Sequence, residues 1–180
     1  MPQQYVESTR ILDSTIVTSK IADANVTTAK IANANVTSSK LAPNLSFSMV
    51  NALETANIFT TAVGGNVNID ILNNTVYFFS SNTTANVTFN LRGNDTTTLQ
   101  NTLSIGSSVS LAILLKQGTN TFRANLHIDD TLVSPLWAGN VAPAYIVGTN
   151  ESTDLYSFSV IKTGSSAYTV LASNTKFGSA

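Results

Sequence analysis

The stretch "NVNIDILNNTVYFFSSNTTANVTFNLRGN", residues 66–94, reads as three short strands and the turns between them. In "NVNIDIL" (66–72) apolar and polar residues alternate with period two, directly after the turn-like pair Gly64 and Gly65. "TVYFFS" (75–80) follows the asparagine turn "NN", and "NVTFNLR" (86–92) alternates again before "GND". The same pattern continues downstream. "SVSLAILLKQ" (108–117) is a nearly continuous apolar run, suited to a strand covered on both faces. "TFRANLHID" (121–129) sets Phe122, Ala124, Leu126 and Ile128 on one side. "LYSFSVIKT" and "AYTVLASN" form a last pair joined by "GSS". About eight short strands at regular spacing predict an all-β domain over residues 58–180, an antiparallel β-sandwich or barrel. A jelly roll is the expected topology, and about 120 residues suffice for it to bury a core.

Residues 1–43 are of another kind. "ILDSTIVTSKIADANVTTAKIANANVTSSKLAP" (11–43) says nearly the same thing three times. Aligned in tens, Ile11, Ile21, Ile31 and Leu41 share a column, and Ile16, Val26 and Val36 fall midway, so a branched apolar residue recurs every five. On a helix, steps of five turn by about 140° and spiral the column round the axis. On one continuous strand they flip the side chain to the other face each time. Short extended pieces with turns at Asp13, Asp23 and Asn33 would point the column at a common axis. Repeat units need stacked neighbours to cover their apolar faces, and three and a half units offer too few. Several identical chains wound about one axis supply them. The expectation is an extended stalk intertwined in a homotrimer; the alternative is a flexible Thr/Ser/Ala-rich linker. Between stalk and head, residues 44–57 form a connector, either irregular or a short helix opened by Ser48, with Asn51 and Glu54 on its polar side.

Composition agrees with assembly. Of the 180 residues, 43% are hydrophobic and 11% charged, against roughly 25% charged in an average soluble protein. A solitary monomer normally keeps a well-charged surface. With a net charge of -1 the chain has no long-range field for nucleic acid or anionic lipid, and neither is expected as a partner. There is no cysteine, which excludes disulfides and thiolate chemistry. "LAILL" (111–115) is too short to cross a bilayer, so no membrane insertion is expected. The opening "MPQQYVESTR" lacks the regions of a secretory signal, and the Asn-X-Ser/Thr triplets at Asn25, Asn35, Asn86 and Asn150 read as chance.

The cadence "IADANVTTAKIANANVTSSKLAP" resembles repeats in fibres, whiskers and other virion structural proteins of tailed bacteriophages, especially those of cyanobacteria and marine bacteria. "NVNIDILNNTVYFFSSNTTANVTFNLRGN", "DDTLVSPLWAG" and "YSFSVIKTGSSAYTVLASNTKFG" are similar to a domain in the same group. The resemblance implies a virion structural protein of the fibre, whisker or decoration type, located in the virion and joined to other virion proteins of capsid, neck or tail.

The chain offers little chemistry. His127, the one histidine, reads as a polar residue on a strand's outer face before a turn at Asp129 and Asp130, because no second histidine completes a ligand set. Glu54, Asp70, Asp95, Glu151 and Asp154 are scattered, and a glycosidase pair is not indicated. "GNDTTT" (93–98) lacks the spacing of a calcium loop and reads as a turn. Trp137 reads as core or interface, with sugar stacking as its second role beside Tyr145. No nucleophile elbow, phosphate loop or dinucleotide fingerprint is present. The expectations are therefore no enzyme, no cofactor and no metal. The functional residues are the stalk column Ile11, Ile16, Ile21, Val26, Ile31, Val36 and Leu41. A carbohydrate-binding host-receptor module, contacting a surface glycan through Trp137 and Tyr145, is the alternative function, and a tail-spike depolymerase is a third.

Overall fold

The computed structural model describes residues 53–147 and 151–178, together with Ile21, Val26, Thr27, Ile31, Ala32, Asn35 and Val36 of the repeat. The expected positions Ile11, Ile16 and Leu41, the turns at 13, 23 and 33, and most of the connector helix lie outside the described residues. The chain divides into two units, Met1–Ala52 and Leu53–Ala180. The second is the all-β domain.

Its first five strands are β1 (Ala56–Phe59), β2 (Gly65–Asp70), β3 (Val76–Phe79), β4 (Val87–Arg92) and β5 (Ser108–Gln117). A single helical turn, α1 (Leu99–Thr102), precedes β5. The remaining strands are β6 (Asn120–Thr121), β7 (Ala124–Ile128), β8 (Thr131–Val133), β9 (Leu136–Trp137), β10 (Ile146–Val147), β11 (Ser152–Gly164) and β12 (Ala167–Gly178). They build a six-stranded sheet in the order β1-β3-β5-β11-β12-β9, a four-stranded sheet β2-β4-β7-β8, and a small β10-β6 ribbon.

The pairings correct the antiparallel jelly roll. β1, β3 and β5 run parallel to one another, and so do β2, β4 and β7. The chain crosses from one sheet to the other with each strand and returns beside the strand it left two steps earlier. That is a coiled path of about three turns, in which Ala56 lies beside Val76 and Val76 beside Ala112, and Val67 beside Phe89 and Phe89 beside Leu126. Antiparallel strands are added at the ends of the coil: β8 beside β7, β10 beside β6, and the long β11–β12 hairpin on the free side of β5. The physical reason is connectivity: antiparallel neighbours can be joined by a tight hairpin, whereas parallel ones need a long return, here supplied by the opposite sheet.

Alternation within each strand decides what is buried. Ile69, Tyr77, Phe79, Phe89, Leu91, Ile113, Leu115, Leu126, Tyr156 and Phe158 point inward and form one core with residues of both sheets. Rings bridge the layers: Phe89 of β4 lies 6.1 Å from Phe79 and 5.8 Å from Tyr156. The all-β, two-sheet expectation holds. The "LYSFSVIKT"/"AYTVLASN" pair is the β11–β12 hairpin, and the turn at Asp129 and Asp130 joins β7 to β8 with φ of 48° and 64°. Positive φ at both central residues is the two-residue hairpin geometry that Asp tolerates.

The second turn of the coil is longer because "GNDTTTLQNTLSIGS" is inserted between β4 and β5. Its start is a turn, with Asn94 Oδ1 accepting from the Thr96 N–H and hydroxyl at 3.0 Å each. Gly93 is required there, since a Cβ would lie 2.4 Å from Thr102 Oγ1 and 2.7 Å from the Thr97 carbonyl. Thr98 caps α1, and Leu99 plugs the core at 0% exposure. Asp129 accepts from the N–H groups of Leu99 and Gln100 at 2.7 and 2.9 Å. The buried Lys162 donates to the carbonyls of Gln100 and Leu103 at 2.5 and 2.7 Å. A negative group thus sits at the N-terminal end of the turn and a positive one at its C-terminal end, each matched to the partial charge there.

Candidate functional site

In the repeat, Ile21, Val26, Ile31 and Val36 each fall at a bend of the chain, so the bends recur with the apolar column itself. The N–H of Asn35 donates to the carbonyl of Ala32 at 3.1 Å, a local turn just ahead of Val36. These four side chains remain 41%, 54%, 39% and 53% exposed in the single chain. Branched aliphatic residues so regularly placed and so evenly uncovered lack the burial that would stabilise them.

In the head, polar residues are arranged as structure. Asn68, Asn90 and His127 stand in register on the outer face of β2, β4 and β7. Asn90 Nδ2 donates to Asn68 Oδ1 at 3.0 Å and to Asp130 Oδ1 at 2.7 Å, and its own Oδ1 accepts from the Asp130 N–H at 2.8 Å. This ladder fixes the parallel register, since a slip of one residue would bring apolar side chains to that row. His127 lies on the outer face before the turn, as the sequence indicates, and next to it Asp70 pairs with Arg92 at 2.6 Å.

Glu54, Asp70, Glu151 and Asp154 stand apart from one another, while Asp95 shares a groove of about 240 Å³ with Asp129 and Asp130. Glu54 accepts from the Thr75 hydroxyl, Glu151 stands 4.0 Å from Lys116, and Asp95 is exposed in its turn. No group of three or more potential metal ligands occurs among the described residues. No helix among them is long and apolar enough to cross a membrane. Trp137 packs its indole edge-on against Tyr156 and Phe158, at 6.4 and 6.2 Å, and closes the core beside β12. It also borders a groove of about 370 Å³ with Arg123, Asn125 and Pro143. Tyr145, tilted against Phe122 at 5.5 Å, does not line that groove, so the two aromatic candidates are not brought together there.

One buried polar group escaped sequence reading. Asp154 is fully buried on the inner side of β11, where Gln117 Nε2 donates to its Oδ2 at 3.1 Å. Thr83 donates to Gln117 Oε1 at 2.6 Å, extending the network. The signal was present: in "STDLYSFSV" Asp154 has the same parity as Tyr156 and Phe158, and hence the same face. Burial pushes its carboxyl above the ordinary 3.8, against the opposing pull of Gln117 and of Lys176. Burial, and then the Asp154 charge, likewise push the Tyr156 hydroxyl up.

A raised carboxyl pKa means that the folded chain holds a proton the unfolded chain has lost. Stability therefore falls as pH rises from the unfolded pKa through the folded one, and the penalty is complete above the latter. Asp154→Asn keeps an acceptor for Gln117 and removes the charge. It is expected to raise the urea midpoint at pH 7 and to lose that advantage at about pH 3.5, below the ordinary Asp value. A lower midpoint at pH 7 would mean that the Lys176 attraction outweighs desolvation.

Compared with protein-family models, curated proteins and solved structures, the chain matches none.

Proposed function

We propose that this chain is a structural protein of a tailed-phage virion, a homotrimeric appendage or decoration protein. Its repeat winds with two other copies into a stalk and fixes them to the particle, and the β domain is displayed at the free end. The observation that carries this reading is the column Ile21, Val26, Ile31 and Val36, bent at each member and 39–54% exposed in one chain. Only a neighbour can cover such a column, and identical chains about one axis present identical columns to each other. The scarcity of charge and the resemblance of the repeat to phage fibre and whisker repeats support it. No enzymatic activity, nucleic-acid partner or membrane insertion belongs to this reading.

A glycan-receptor role has one foothold, the groove where Trp137 meets Arg123 and Asn125. An aromatic body beside hydrogen-bonding groups is the chemistry a sugar ring requires. Two measurements test the main reading. Light scattering should give three times the 19.0 kDa chain mass, and an antibody against the chain should label intact particles in electron micrographs. A monomer in solution, or particles free of label, would refute it. Binding on a glycan array by an otherwise structural trimer would add the receptor role.

A further inference from the structure

The outer faces of the two sheets differ in kind. On β2, β4 and β7 the outward residues are Asn66, Thr88 and Asn125, then Asn68, Asn90 and His127, then the Asp70–Arg92 pair. That face is polar, and its groups bond one another. On the six-stranded sheet, Ile58, Phe78, Leu114 and Leu155 stand side by side in one row across β1, β3, β5 and β11. They have the opposite parity to the core residues Tyr77, Phe79, Ile113, Leu115 and Tyr156, and so point away from the core. The next row is Ala56, Val76, Ala112 and Ser157, and at the far edge the exposed Leu171 and Leu136 are paired. Ile58 is 59% exposed. These rows hold no charged residue; Lys116 and Glu151, 4.0 Å apart, stand beyond one end of them, and Glu54, bonded to the Thr75 hydroxyl, stands beyond the other.

We infer that this face is where the heads of neighbouring copies meet around the trimer axis. The inference rests on the trimer reading above and adds a second, distinct contact to it. Three features select a second copy of this chain over another partner. Residues near a rotation axis meet their own copies, so a face that closes on itself must avoid charge, whereas a foreign partner can be matched by it. The apolar rows are bordered by charged residues at both ends, Lys116 and Glu151 at one and Glu54 at the other, the arrangement of an interface centre and its rim. Five strands of 4, 4, 10, 13 and 12 residues, spaced about 4.8 Å apart, give the whole outer face, its Ser and Thr rows included, roughly 600–700 Å² of flat area, near the ~800 Å² that each side of a stable complex contributes. The joined repeats hold the heads at high local concentration, so even a weak face-to-face contact is populated.

The absence of cysteine makes a direct test available. Leu114→Cys places a thiol on the apolar face, Phe78→Cys provides a second position should the first variant fail to fold, and Asn125→Cys serves as control on the polar face. Each is made in the full chain and reacted with a maleimide. At Leu114→Cys the thiol should react about tenfold more slowly in the trimer than in the same chain carrying Ile21→Asp, Val26→Asp and Ile31→Asp. At Asn125→Cys the two rates should agree. Equal rates at Leu114→Cys and Phe78→Cys, in a chain that light scattering finds trimeric, would overturn the inference and leave the trimer standing. Protection on intact particles but not in the pure trimer would also overturn it, assigning the face to another virion protein. A parent chain that is itself monomeric would remove the trimer reading as well.

Discussion

Changing Ile21, Val26 and Ile31 together to aspartate is expected to abolish trimerisation and virion incorporation while leaving the head folded. Each aliphatic side chain gains roughly 1.5–3 kcal/mol on full burial, and three chains contribute the same column. The exposure of Ile21, Val26 and Ile31 in the single chain shows that this gain is still unrealised there. Ordering the backbone opposes assembly at roughly 1–2 kcal/mol per residue, so the balance is narrow and a few side chains decide it. Aspartates at these positions would place like charges around the proposed axis, desolvated and unpaired, and a buried charge without a partner is strongly destabilising. The head has its own core, to which none of the three residues contributes. Light scattering should therefore find the monomer mass, circular dichroism should keep its β form, and particles assembled with the variant should lack the chain. An intact trimer incorporated at the normal level would reduce the repeat to a tether.

The strands were legible because burial alternates along them, and alternation is a local property. "VTFNLR" and "SFSV" announce an inner and an outer face without reference to any partner. The direction of pairing has no such mark. A parallel coil shows itself in sequence through a constant return distance, and Ala56 does lie twenty residues before its partner Val76. The insertion around α1 then stretches the next turn, so that Val76 pairs with Ala112, and the period is lost after one cycle. Asn68 and Asn90 face each other in the observed register, but a single facing pair forms as readily between antiparallel strands and so marks no direction. In the repeat, the column was legible from its spacing alone. The bends at its own members carry no sequence mark, since Ile and Val are not turn residues. Trp137 closes the core edge, as its place beside Pro135 suggested, whereas the burial of Asp154 was hidden by its position near a strand's end.

Phe89→Ala should cost the head about 3–5 kcal/mol, the range for deleting a buried aromatic ring. Phe89 is fully buried in β4 and is held in register by Val67 on one side and Leu126 on the other. Its ring meets Phe79 at 6.1 Å and Tyr156 edge-on at 5.8 Å, and so joins the four-stranded sheet to the six-stranded one. Collapse into the resulting cavity would require β4 to shift against two parallel neighbours and to break the Asn68–Asn90 contact, so little of the loss is recovered. Against a typical total of about 5–15 kcal/mol, this is a large fraction of the domain's stability. Phe78→Ala provides the contrast, since its ring lies on the outer face and its removal leaves no cavity between the sheets. That variant should lose about 1 kcal/mol or less from the head itself, as surface changes usually do. Trp137, the single tryptophan, packs on Tyr156 and Phe158 and reports unfolding in urea by its own fluorescence. Equal losses for the two phenylalanines, or a loss under about 1 kcal/mol for Phe89, would mean that the sheets do not pack face to face through this ring.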